Sequence, residues 1–180
     1  MKKIIINVIL SACIIATILS LVLTNGENIR EEFDGDTSKS GVDDQYGLFD
    51  DSPEGLDSLN YIVQSCSEEL GMNIYVYLSG KYDRDRSDEN TEKFARDSYD
   101  EIYGEEADGV FYYLDISGKK PAYDYISLNG KAGLIYAAEL ENIFTHLDAY
   151  LPASGESVRE MQIYNAIDEF CNELIRYNDN

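Results

Sequence analysis

Val110-Phe111-Tyr112-Tyr113-Leu114-Asp115-Ile116 is the most apolar strand-length run beyond the N-terminal segment. Aromatic and branched side chains dominate it, and turn-formers bound it: Asp108-Gly109 before, Ser117-Gly118-Lys119-Lys120-Pro121 after. A run that is apolar on both alternating faces predicts a central strand covered on both sides. Ala122 to Leu128 follows as a third strand, and the short connection makes the pair an antiparallel hairpin. Upstream, Asn73 to Ser79 alternates Ile74, Val76 and Leu78 with Tyr75 and Tyr77, the period-two pattern of a strand. Between these two runs lies a helical segment, Glu89 to Tyr103, with Phe94, Ala95, Tyr99 and Ile102 on one side. A helical crossover makes the strands it joins parallel and right-handed.

Further out, Asp50-Asp51-Ser52-Pro53-Glu54 reads as a helix start: a capping side chain, proline in the first turn, acids at the positive end. Leu56, Leu59, Val63, Cys66 and Leu70 then recur at helical spacing, and Gly71 closes the helix. Downstream, Ile135 to Leu151 is expected to be one helix, with Leu140, Ile143, Phe144 and Leu147 facing in. Pro152 to Ser157 breaks it, and Val158 to Tyr177 forms the last helix. The order α-β-α-β-β-α-α predicts an α/β fold, a three-layer α/β/α sandwich around a small mixed sheet over residues 46–180.

Residues 25–45 are rich in Gly, Ser, Asp and Glu and poor in apolar side chains, which predicts a disordered acidic linker. Ahead of it, Ile4 to Leu23 is apolar and uncharged, long enough as a helix to cross the roughly 30 Å core of a bilayer. Lys2 and Lys3 precede it and acids follow it, which orients the N-terminus inward and the domain outward. Residues 1–24 thus read as an uncleaved signal anchor, as a signal peptide cleaved after Gly26, or as a lipoprotein signal at Leu10-Ser11-Ala12-Cys13. Each exports the domain; the first makes the protein a single-pass cell-membrane protein with an extracytoplasmic domain.

The formal net charge is −21 at pH 7, and more negative still without Lys2 and Lys3. Such a chain excludes nucleic acid as a partner and docking on anionic lipid. It suits divalent cations, basic partners, or solubility alone. Cys66 and Cys171 fall on exported helices. They are either small apolar core residues or a bridge closing a loop of about 100 residues, worth roughly 4–5 kcal/mol in the chain-entropy account.

No nucleophile elbow, phosphate-binding glycine loop or His-Glu-x-x-His motif is present. His146, the single histidine, lies mid-helix and reads as structural. Asp83 to Asn90 alternates acids like a calcium loop, but it lacks the glycine and carries Arg84 and Arg86, so it reads as a solvated loop. The strand tyrosines, among them Tyr75, Tyr77, Tyr123 and Tyr125, read first as half-buried packing and second as a carbohydrate- or peptide-binding face. Two acidic places stand out by position: Asp50-Asp51 at a helix start, and Asp108 at the entrance to the central strand. Brought together, these three would hold a hard cation such as calcium or magnesium; otherwise they cap a helix and make a turn.

The ordered set resembles the TPM domain family. The residues carrying the resemblance are Leu48-Phe49-Asp50-Asp51-Ser52, Leu70-Gly71-Met72-Asn73-Ile74-Tyr75-Val76, Asp108-Gly109-Val110-Phe111-Tyr112-Tyr113-Leu114, Tyr125 to Ala132, and Ala149-Tyr150-Leu151. It spans about Tyr46 to Tyr177. The resemblance implies an α/β/α sandwich outside the cytoplasm beside one membrane helix. It also implies calcium at Asp50, Asp51 and Asp108, and in some members acid phosphatase activity. The family's acid shortly before the helix after the hairpin is missing, since that region reads Tyr136-Ala137-Ala138-Glu139. The expectation is therefore a membrane-anchored interaction or assembly module with a protein partner and a divalent-cation site. Its alternative is a metal-assisted acid phosphatase, with the three acids holding a metal-activated water.

Overall fold

The sheet has four strands in the order β1 (Gly41–Asp44), β2 (Asn73–Ser79), β3 (Gly109–Asp115) and β4 (Tyr123–Asn129). The first three are parallel and β4 returns antiparallel to β3. This is the α/β class with a mixed sheet that the sequence predicts, enlarged by one strand. The computed structural model describes residues 33, 35–80, 88–105, 107–117, 122–152 and 158–179. The expected membrane segment and residues 83–87 of the calcium-like stretch Asp83 to Asn90 lie outside these residues, and its last three residues begin a helix. No helix among the described residues is long and apolar enough to cross a membrane.

Among the described residues five helices accompany the sheet: α1 (Pro53–Leu70), α2 (Asp88–Tyr103), α3 (Ala132–Tyr136), α4 (Leu140–Leu147) and α5 (Glu160–Asn178). Strand alternation sorts the core into two sets. Ile74, Val76, Leu78, Val110, Tyr112, Leu114 and Ile126 face the side covered by α1, α3, α4 and α5. Tyr75, Tyr77, Phe111, Tyr113, Tyr123 and Tyr125 face the other side, where α2 lays Phe94, Ala95, Tyr99 and Tyr103 on them. One face is thus largely aliphatic and the other almost wholly aromatic. The aromatic face is knit by ring pairs, such as Tyr77 stacked on Tyr113 at 5.9 Å and Phe94 edge-on to Tyr77 at 5.1 Å.

β1 corrects the expectation of a disordered linker over 25–45 for its part at 41–44; residues 25–32 and 34 lie outside the described residues. A 3-10 turn at Thr37–Lys39 leads into β1. Only Val42 among its four residues is apolar, so its own pattern is silent; long-range polar contacts hold it. Ser67 on α1 donates its hydroxyl to the Met72 carbonyl at 2.6 Å, so Ser40 must be the donor in the 2.7 Å pair with Ser67. Ser40 in turn accepts the Ile74 N–H at 3.0 Å, and Asn60 Oδ1, two turns up α1, accepts the Val42 N–H at 2.7 Å. A sheet edge with its outward N–H already bonded resists strand addition.

α1 starts and stops as expected. Pro53 occupies the first turn and Gly71 ends the helix at φ +71°, the left-handed region that suits glycine. Ser52 makes no side-chain cap, however, and Asp50 and Asp51 are exposed. The turn is organised instead by Asp44, whose carboxylate accepts the N–H groups of Gly47 and Phe49 at 2.9 and 2.8 Å. The expected single helix over Ile135 to Leu151 is two. α3 begins earlier, at Ala132, and the chain turns at Ala137–Glu139 before α4. The break lets Tyr136 bury fully and reach the Leu174 carbonyl at 3.1 Å while Ile143 and Leu147 still face the core.

Candidate functional site

The three acids singled out in the sequence do not share one place. Asp44 is level with Leu78 and Leu114 in the sheet register, so the turn carrying Asp50 and Asp51 sits at the finishing end of the parallel strands. Asp108 precedes Gly109, which is level with Asn73 at the starting end. Five residues of strand separate the two levels, about 17 Å. Asp108 has a different task. It is buried and accepts the Lys131 N–H at 2.7 Å, with the Lys131 ammonium 3.9 Å away, and so braces the turn between β4 and α3. The acids named for calcium therefore form no common coordination shell.

A second cluster offers metal-ligating atoms. His146 on α4 and Glu169 and Glu173 on α5 bring one ligand atom each within 4.8 Å of the others. Glu173 is only 2 % exposed, and both its oxygens are engaged: His146 Nδ1 lies 3.0 Å from Oε1, and Arg176 pairs with Oε2. The Arg176 guanidinium also sits 3.3 Å from His146 Nδ1 and 4.7 Å over the Tyr177 ring. Its hydrogen bond to Tyr177 holds its pKa above the ordinary value. A cation already fills the position that a metal would take, and the cluster is a buried carboxylate neutralised between two helices. The sequence reading of His146 as structural fits this; its partners Glu173 and Arg176 were missed. The available signal was an acid at position 173 inside the apolar stripe of Phe170, Cys171 and Leu174.

The aromatic face opens into a groove of about 310 Å³ between the β1–β2 edge and α2, lined by Asp43, Gln45, Tyr75, Tyr77, Phe94, Ser98, Glu101 and Ile102. Strand alternation puts Asp43 on the same side as Tyr75 and Tyr77, and helical spacing puts Phe94, Ser98, Glu101 and Ile102 on one stripe. Asp43 accepts from the Tyr75 hydroxyl at 3.1 Å and from Gln45 Nε2 at 2.7 Å. Burial, reinforced by the Asp43 charge, pushes the Tyr75 phenol far above its ordinary pKa, so it stays a donor. Tyr103, beneath it, is pushed up to about 12, chiefly by burial. Lys39 is engaged with the Ile102 carbonyl at 2.8 Å, at the negative end of α2.

The groove thus has an aromatic floor and a carboxylate on each wall, Asp43 from the sheet and Glu101 from the helix. Among the described residues the lining offers aromatic rings, two carboxylates, a hydroxyl and an amide. Sequence reasoning marked Tyr75 and Tyr77 but not Asp43, which it placed in the linker. Compared with family models, curated proteins and solved structures, the chain matches none of them.

Proposed function

We propose that this chain is a membrane-anchored, extracytoplasmic interaction module, and that its aromatic groove receives a cationic side chain, arginine or lysine, of a protein partner. In this reading a three-layer α/β/α domain of TPM-like kind is carried outside the membrane by the segment Ile4 to Leu23. The observation that carries the proposal is the pairing of an aromatic floor, Tyr75, Tyr77 and Phe94, with carboxylates on both walls. Ring faces attract a cation by about 0.5–2 kcal/mol each, more as water is excluded. The acids add attraction and orientation, and the strongly negative surface speeds the encounter with a basic partner. Strand addition at β1 is not the binding mode, because the Val42 N–H is already bonded to Asn60. A metal-assisted phosphatase has the weaker claim, since Asp108 lies a strand's length from Asp50 and Asp51.

The test is a titration of the full chain, in detergent micelles, with a peptide of alternating arginine and glycine. Asp43→Asn with Glu101→Gln should weaken binding about tenfold, the equivalent of about 1.4 kcal/mol. Glu54→Gln with Asp57→Asn, which removes the same charge from exposed sites on α1, should leave affinity within about twofold by the same conversion. Equal losses in the two double variants would reduce the attraction to net charge and sink the groove as the site.

A further inference from the structure

We infer that Cys66 and Cys171 form a disulfide that staples α1 to α5 when the domain folds in an oxidising compartment. The two residues are 105 positions apart in sequence, yet the Cys66 thiol lies 3.6 Å from the Cys171 carbonyl oxygen. Both thiols are free in this structure, belong to the same core cluster, and are only 3 % exposed. They sit on α1 and α5, which pack along each other. The contact with Cys66, then burial, pushes the Cys171 thiol well above its ordinary pKa. A buried, protonated thiol is a poor nucleophile in the finished fold. The bond is therefore made while α1 and α5 are still coming together, and once closed it is shielded from reductants.

The chemistry is thiol–disulfide exchange with a small disulfide or a disulfide oxidoreductase. One cysteine thiolate attacks the oxidant's sulfur, forming a mixed disulfide and releasing one thiolate. The second cysteine, deprotonated, attacks the protein sulfur of that mixed disulfide and releases the other. The protein loses two protons and two electrons, and the oxidant leaves as two thiols. The loop so closed spans most of the domain, and a closure of that length raises the melting temperature by on the order of 10 °C.

The experiment refolds the full chain in detergent micelles from denaturant, with oxidised and reduced glutathione in one arm and excess reductant in the other. The oxidised arm should show, after denaturation, a single titratable thiol belonging to Cys13. Peptide mapping should find Cys66 joined to Cys171, and the melting temperature should rise by on the order of 10 °C, reversed by reduction in denaturant. Three free thiols, glutathione adducts, or links through Cys13 would overturn the inference, as would a mapped Cys66–Cys171 bond with no change in melting temperature. Because linkage is mapped on the unsubstituted chain, the test does not depend on Cys66→Ala or Cys171→Ala folding.

Discussion

Arg176→Ala removes the guanidinium that pairs with Glu173 and leaves a carboxylate only 2 % exposed with His146 as its remaining partner. Taking one member from a fully buried pair costs about 3–5 kcal/mol, because the other charge stays behind without compensation. Arg176 itself is 47 % exposed, so water enters on its side and the expected loss falls below that range. The diagnostic step is a second substitution. Glu173→Leu in the original chain exchanges a neutralised charge for apolar contact with the surrounding cluster, and is expected to change stability by less than about 1 kcal/mol. In the Arg176→Ala background the same substitution removes an uncompensated charge and should restore stability by about 1–2 kcal/mol. Urea denaturation followed by far-UV circular dichroism gives all four values. If Arg176→Ala costs less than about 0.5 kcal/mol, or if Glu173→Leu is more damaging in that background than alone, the reasoning fails: Glu173 would be solvated rather than held by Arg176.

Gly109→Ala would place a Cβ 2.3 Å from the Asn73 carbonyl and 2.4 Å from the Tyr99 hydroxyl, so the β2–β3 ladder must part; a loss of about 3 kcal/mol is expected by urea denaturation, and a loss under 1 would contradict the close approach. Asp124 titrates at about 6, raised first by burial and then by the Asp148 charge, while the buried Tyr112 hydroxyl donates to it at 3.4 Å. Its folded pKa lies above the unfolded value of 3.8, so the folded state binds the extra proton. This residue's contribution to stability therefore falls as pH rises from about 4 to 6 and is flat above. Asp124→Asn should stabilise the protein at pH 7 by on the order of 2 kcal/mol, with the gain vanishing towards pH 4; a gain independent of pH would refute the assignment.

The parts of the fold legible in the sequence are those whose burial is written locally. Tyr75 and Tyr77 alternate with Ile74, Val76 and Leu78, and one strand thereby declares two covered faces. Pro53 and Gly71 mark the ends of α1 because each has a backbone preference that acts on its own. β1 was illegible for the opposite reason: Gly41-Val42-Asp43-Asp44 has no apolar face of its own, and its order comes from Asn60, Ser67 and the edge of β2. Missing β1 also misplaced the acids. Without that strand nothing says that Asp50 and Asp51 follow the finishing end of the sheet while Asp108 stands at its start. The groove was half visible, in Tyr75 and Tyr77, but its acidic wall depends on Asp43 lying beside them in the register. The split between α3 and α4 hinges on the burial of Tyr136 against α5, a contact 38 residues away in sequence.

The most direct test of the groove as the binding site is residue-resolved nuclear magnetic resonance of the full chain in micelles, titrated with the arginine–glycine peptide. The account predicts that saturable shifts concentrate at Asp43, Tyr75, Tyr77, Phe94, Ser98 and Glu101, leaving Asp108 and Lys131 at the other end of the sheet unmoved. Shifts spread evenly over the acidic surface, or centred on Asp50 and Asp51 away from the aromatic floor, would contradict it.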